Sequence, residues 1–204
     1  ACDYAYLHVW PKQNNIVFHQ SAMPVLELVD GELVDEREVN RSQKKTGRQI
    51  PVYTLRGVDQ IPQLAGKVHA AGGKVIATCV VCNPWILDRL EPYVDGLTFQ
   101  YTVSPVAMNN ALNAQMDVLS GSWNPTGKMS LTMVSSMDVI AISEKEIDGV
   151  MREVCASPND VPGYDKDQYI APEILANVKG GSYAYCDADG NYYRSGFGLR
   201  YPEA

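Results

Sequence analysis

The sequence predicts an α/β fold: a doubly covered, mostly parallel sheet with a C-terminal hairpin or extension, in a single domain spanning residues 1–204. Three observations carry this expectation. Between Gly57 and Val134, helix-like and strand-like segments alternate, the order that builds parallel sheets. "KVIATCVVC" (Lys74 to Cys82) is a continuous apolar, β-rich run, the pattern of a strand covered on both faces. After Val134 the alternation stops, which divides a sheet-and-helix core (1–134) from a loop-rich extension with a terminal hairpin (135–204).

The elements follow in order. "DYAYLHVW" (Asp3 to Trp10) alternates with β-forming residues and predicts a strand. Pro11 to Pro24 carries polar and proline breakers and predicts a long loop. Val25 to Lys45 is charged, and Asp35 to Lys45 runs from acids to bases, the order a solvated helix favours. "PVYTL" (Pro51 to Leu55) predicts a short strand. From Gly57 to Gly73, Val58, Ile61, Leu64, Ala65 and Val68 recur at helical spacing, with Pro62 in the first turn and two glycines at the stop. Asn83 and Pro84 form a helix-start signal for the segment up to Val94. Asp95 to Val103 predicts a strand, Ser104 to Gly121 a helix, and Lys128 to Val134 a strand. Ser135 to Cys155 is mixed in character, and Ser157 to Asp167 is a proline and glycine loop. "SYAYCDADGNYYRSGF" (Ser182 to Phe197) predicts two strands around an Asp-Gly-Asn turn.

Composition excludes some partners. The chain has 204 residues, 46% hydrophobic and 20% charged, with a formal charge of −7, so no basic field for nucleic acid or an anionic membrane is expected. No apolar run reaches the length of a transmembrane helix. The chain starts at Ala1 and enters a strand pattern at once, which predicts a lost leader or a piece of a longer polypeptide. Five cysteines (Cys2, Cys79, Cys82, Cys155 and Cys186) leave at least one free or paired between chains and leave the compartment open, cytoplasmic or secreted.

No metal or cofactor is expected. The CxxC of Cys79 to Cys82 lacks a second pair of zinc ligands, and Cys79 falls inside the apolar strand, so buried thiols are the reading. "DADGN" (Asp187 to Asn191) has its glycine at the wrong place for a calcium loop and reads as a turn. His69 lies in a helix and reads as structural. His8 and His19 flank the loop after the first strand, where α/β proteins place ligands. Glu27, Glu32, Asp35, Glu36 and Glu38 supply carboxylates of the type that glycoside hydrolysis uses in pairs, although a solvated helix face also explains them.

Several ordered motifs resemble one family. "DVLSGSWNPTGKMSLTM" (Asp117 to Met133) resembles the "ADVLFGDYNPSGKLPVTFP" type of segment in the C-terminal α/β domain of glycoside hydrolase family 3, the β-glucosidase family. "KVIATCVVCNPWILDRLEPYVDGL" resembles a strand, helix and strand of that domain. "NYYRSGFGLRY" (Asn191 to Tyr201) resembles its closing "PLYPFGYGLSY", and "DVPGYDKD" (Asp160 to Asp167) occurs in some members. The resemblance runs from about Ala1 to Tyr201.

The resemblance implies a retaining β-glycosidase whose (β/α)8 barrel carries the nucleophilic aspartate, with the active site between barrel and α/β domain. This chain would be the later part of that domain, lacking its opening strands and needing a barrel-bearing chain or domain of the same enzyme as partner. The acid/base glutamate would come from the loop after Trp10, which makes Glu27, Glu32 and Glu36 the catalytic candidates. Trp10 and His19 are the substrate-binding candidates, with a carbohydrate as substrate. Two departures weaken transfer of sugar contacts: Cys82-Asn83 replaces the family's Gly-Arg, and "TVSPVAMNN" (Thr102 to Asn110) replaces its glycine-rich loop. The alternative is a non-catalytic structural protein derived from this domain that self-associates through open sheet edges into a homo-oligomer.

Overall fold

The computed structural model describes residues 3–9, 26–27, 58–81, 84–101, 108–139, 142–147, 150–155 and 166–202. Its elements are β1 (Tyr4–Val9), β2 (Leu26–Glu27), α1 (Ile61–Ala70), β3 (Lys74–Val81), β4 (Trp85–Ile86), β5 (Gly96–Tyr101), α2 (Met108–Leu119), β6 (Ile142–Ile147), β7 (Val150–Cys155) and α3 (Pro172–Leu175). Three strands form a small parallel sheet in the order β1-β3-β5. With its helices this is an α/β fold, as the alternation predicts.

Local chemistry explains the elements that match. A 3-10 turn at Val58–Gln60 leads into α1, Pro62 sits in the first turn, and Gly72 ends the helix at φ 78°. The caps close there, with Gly73 N–H donating to Val68 O at 2.9 Å. Gly121, at φ 76°, ends the turn after α2 in the same way. β3 is central, and Val75, Ala77, Cys79 and Val81 are buried along with Thr78 and Val80. β1 alternates instead: Tyr4 and Tyr6 are 62% and 43% exposed, while Val9 is buried.

One core joins the sheet to the tail of the chain. Val9, Ala77, Cys79 and Val81 share a cluster with Val58, Trp85, Leu87, Leu90, Met129, Met133, Tyr185 and Tyr193. Trp85, Leu87 and Leu90 are fully enclosed, and such side chains each stabilise by about 1.5–3 kcal/mol relative to exposure. A smaller cluster holds Ile86, Val134, Val139 and Tyr183.

Three expectations need correction. The segment "NPWILDRLEPYV" forms no helix over its described residues, Pro84 to Val94; it gives β4, a turn at Asp88 to Leu90 and a 3-10 turn at Glu91–Tyr93. The reason is burial in two directions. Extended backbone sends Trp85 into the larger cluster and Ile86 into the smaller one, an alternation that a helix cannot provide. Lys128 to Val134 is not a regular strand either. Its hydrogen bonds go to the irregular tail, including Met129 N–H to Phe197 O at 2.8 Å and Met133 N–H to Tyr193 O at 2.9 Å. Only Val134 bridges, parallel to Ile86 and antiparallel to Ala184. In the tail itself, the turn at Asp187 to Asn191 is flanked by a single antiparallel bridge, Cys186 with Tyr192, and not by two strands.

The stretch from Ser135 to Cys155, which reads as mixed, contains an antiparallel hairpin. β6 and β7 pair from Ile142 with Cys155 to Ile147 with Val150, and Asp-Gly occupies the two positions between them. The expected loop at Pro11 to Pro24, helix at Asp35 to Lys45 and strand at Pro51 to Leu55 lie outside the described residues.

Candidate functional site

The carboxyl ends of parallel strands are where α/β sheets hold ligands, and two features meet there. β4 follows β3 after a short connection, and β2 pairs with it in parallel, Leu26 beside Trp85 and Glu27 beside Ile86. The backbone of Glu27 therefore lies beside Ile86, five residues past the last residue of β3. Of the other candidates, Trp10, His19, Glu32 and Glu36 lie outside the described residues, as do Asp35 and Glu38. Val80 and Val81 pair with Gln100 and Tyr101 at the end of β5. Trp85 is fully buried, and its indole N–H has no hydrogen-bond acceptor among the described residues.

The motifs that carry the resemblance meet in space. Asn124 clamps the tail with its side-chain amide: Oδ1 accepts from Tyr201 N–H at 2.9 Å, and Nδ2 donates to Tyr201 O at 3.1 Å. Lys128 Nζ donates to Gly198 O at 2.5 Å, Gly196 N–H donates to Met129 O at 2.8 Å, and Ser195 N–H donates to Thr132 Oγ1 at 3.0 Å. Tyr201 OH closes the set by donating to Val118 O at 2.8 Å. Each of these groups serves another part of the fold, so "SWNPTGKMSLTM" and "SGFGLRY" act as a structural zip.

The remaining polar residues resolve into supports. His69, Lys74 and Asp95 gather at the amino end of the sheet. Asp95 accepts from Val75 N–H at 2.8 Å, Lys74 Nζ at 2.9 Å and His69 Nε2 at 2.7 Å. The backbone donor of Val75, then Lys74 and His69, hold its carboxyl well below the usual carboxylate range. The structural role expected for His69 has this partner. Asp187 accepts from Asp189 N–H at 3.0 Å, Asn191 N–H at 2.8 Å and Asn191 Nδ2 at 2.9 Å, so its carboxylate organises its own turn. Tyr185 OH donates to Glu91 Oε2 at 2.7 Å, and burial first, then this bond, pushes its hydroxyl pKa upward. Asp167 binds Ser182 Oγ, Tyr183 N–H and Arg194 Nη2 at 2.7, 2.7 and 3.2 Å.

Cys79 and Cys186 are free and buried, and burial pushes the Cys79 thiol pKa upward; the thiolate that redox or metal chemistry needs is disfavoured there. Cys82 lies outside the described residues. Among the described residues, no group of three His, Cys, Asp or Glu side chains is placed to hold a metal ion, and no helix is long and apolar enough to cross a membrane.

Sequence reasoning passed over Gln115. Among the described side chains of α2 it is the buried one, and it stands in line with Ala111 and Val118, where the helical stripe calls for an apolar side chain. That polar interruption was the available signal. Its Nε2 donates to Tyr6 OH at 2.7 Å and to Thr78 Oγ1, which is 2.7 Å from Thr98 Oγ1.

No family model matches this chain, and neither a curated protein nor a solved structure does. The geometry thus offers the backbone of β2 paired with β4, an apolar core zipped to the tail, and polar contacts between α2 and the sheet.

Proposed function

We propose that the chain is the later part of the C-terminal α/β domain of a retaining β-glycosidase, contributing to a carbohydrate site that a barrel-bearing chain or domain completes. The observation that carries this reading is the parallel pairing of β2, which contains Glu27, with β4, the element that follows β3 in the chain; an acid/base group from this domain would meet a sugar there. The union of three quoted motifs in one core supports it as well: β3, Met129 and Met133, and Tyr193 and Phe197 belong to one cluster. A doubly covered sheet belongs to this reading. It is supported by Gln115 bonding Thr78 on one face and by Met129 and Tyr193 clustering with Ala77 on the other. The tail closes as an extension with one bridge, Cys186 with Tyr192, in place of a two-strand hairpin.

In the reaction so proposed, an aspartate of the barrel attacks the anomeric carbon while Glu27, Glu32 or Glu36 protonates the departing oxygen. The same glutamate, now a carboxylate, then takes a proton from the water that releases the sugar. The acid must stay protonated near neutral pH, which calls for an apolar neighbourhood.

Residues 1–204 alone should leave an aryl β-glucoside intact, and adding the barrel-bearing partner should produce hydrolysis. Hydrolysis by the isolated chain sinks the reading. In the complete enzyme, Glu27→Gln should lower kcat by about 10²–10⁴-fold on sugars with poor leaving groups and much less on nitrophenyl glycosides; an equal loss on both removes Glu27 from the role. Ordered homo-oligomers that ignore a barrel-bearing partner would instead support the structural reading, for which the exposed Tyr4 and Tyr6 of β1 speak.

A further inference from the structure

The hairpin of β6 and β7 sorts its charges by sign. Its register pairs Glu144 with Glu153 and Lys145 with Arg152, so like charges stand directly opposite each other at two successive positions. Alternation along each strand puts Glu144, Glu146 and Glu153 at positions of one face and Lys145 and Arg152 at positions of the other. One face therefore holds every carboxylate position of the two strands, and the other holds every cation position. Across an antiparallel pair opposite charges stabilise and like charges destabilise. Each face thus gains from a counter-charge that comes from outside the ribbon.

Two further features agree. Among the described strands, β6 and β7 pair only with each other, and a lone two-stranded ribbon is marginally stable in water. Both faces also carry apolar positions beside the charges, Ile142 and Met151 with the acids and Ile147, Val150 and Val154 with the bases. A covering surface would bury apolar groups along with the charges. The two faces are opposite in sign, so the surface that suits either one is the other face of the same hairpin on a second copy. A twofold contact would set acids on acids or bases on bases, whereas front-to-back stacking matches them. The chain's charge of −7 opposes other contacts between copies.

We infer that the β6–β7 hairpin is a self-association surface, on which the acidic face of one copy stacks on the basic face of the next. Such a contact leaves one acidic and one basic face unused at the two ends, so association continues past the dimer. Pairs of surface charges are weak singly, and the association is accordingly reversible and grows with concentration. The inference rests on neither reading of the function: β6 and β7 contain none of Glu27, Glu32 and Glu36, nor the exposed Tyr4 and Tyr6 of β1.

Sedimentation velocity of the 204-residue chain tests this, in about 0.1 M salt, where a Debye length of about 10 Å screens the overall charge more than groups in contact. The weight-average mass should rise with concentration and pass that of a dimer without a plateau. Glu144→Lys, Glu146→Lys and Glu153→Lys together make both faces basic, and Lys145→Glu with Arg152→Glu makes both acidic. Each variant alone should stay monomeric, and an equimolar mixture of the two should associate again. A wild-type chain that is monomeric at every soluble concentration, or that stops at a dimer, would overturn the inference. So would a mixture that stays monomeric, because each face then meets its own chain, and so would association that survives both reversals, which would point to β1. Circular dichroism checks the fold of each variant. Should a reversal unfold the chain, Gln at the same positions replaces it: association lost there supports the stacking, and association undiminished overturns it.

Discussion

Replacing Gly198 by alanine tests the zip between the two motifs most directly. An ideal Cβ at Gly198 would lie 2.6 Å from Gly127 O and 3.1 Å from Lys128 Cδ. The lysine end can move, but the carbonyl cannot move alone. It lies between the Asn124–Tyr201 clamp and the Met129–Phe197 bond, at 2.9 and 2.8 Å. Forcing a methyl group into such a contact costs about 1–3 kcal/mol. At about 2–4 °C per kcal/mol for a chain of this length, Tm should fall by about 2–12 °C. Two controls separate crowding from backbone strain. Gly127 has open space around its Cβ position and no left-handed φ, so Gly127→Ala should be neutral or stabilise by up to about 1 kcal/mol through the unfolded chain. Gly196 also has open space but sits at φ 88°, so Gly196→Ala should cost about 1–2 kcal/mol. Thermal unfolding by circular dichroism, with urea midpoints and unchanged m-values, reads all three. Wild-type stability in Gly198→Ala, or an equal loss in Gly127→Ala, would refute the close approach of the motifs.

Other outcomes follow from the same geometry. Asp95 has a depressed carboxyl pKa in the folded state, so the unfolded chain takes up the proton first as pH falls. Its stabilisation is present above the ordinary value of about 3.9 and is lost below it. Asp95→Ala should therefore lower the urea midpoint at pH 7 by the equivalent of about 1–2 kcal/mol, mainly from the orphaned Val75 N–H, since the partly exposed ion pairs add little. That deficit should shrink below about pH 4, and a constant deficit down to pH 2 would exclude the carboxylate as its cause. Cys79 and Cys186 should resist a thiol reagent such as dithionitrobenzoate in the native protein and react on unfolding; rapid native labelling would contradict their burial. Thr78→Val alone should destabilise by about 1–3 kcal/mol by removing the buried hydroxyl that pairs with both Gln115 and Thr98, whereas adding Gln115→Leu should restore part of it. Simple additivity of the two losses would show that the groups are not coupled.

The parts of the fold visible in the sequence are those fixed by local pattern. α1 and α2 carried their own apolar spacing and glycine stops, and β3 its unbroken apolar run. What local pattern could not show was the destination of side chains. Trp85 and Ile86 follow a helix-start signal at Asn83-Pro84, yet two separate clusters draw them apart and hold the backbone extended. Lys128 to Val134 has strand composition, but its partner is a tail kinked at Gly196, so no ladder propagates. The β6–β7 hairpin was legible in Asp148-Gly149 between two strand-length runs, although the charged residues within them masked it. The candidate site was less legible still. Gln115 signals itself only as a break in a stripe, and the return of Glu27 to β4 joins positions about sixty residues apart, which no spacing rule connects.

The two faces of the sheet are held by different forces. One face carries Ala77, Cys79 and Val81 into a cluster with Trp85, Leu90, Met133 and Tyr193. Opening it exposes large apolar side chains, at about 25 cal/mol for each Å². The other face meets α2 through Gln115, Tyr6 and Thr78. Opening it replaces protein hydrogen bonds with bonds to water, at about 0.5–1.5 kcal/mol each, and relieves the unmet oxygens of Gln115 and Gln100. Local opening should therefore begin at α2, well before the tail unzips from the core. Elements that move on binding are drawn from the least stable parts of a fold, and by this argument the polar face, not the zip, is the part of the described structure that opens first. Hydrogen exchange that is slower in α2 than in β3 would reverse the order and remove the argument.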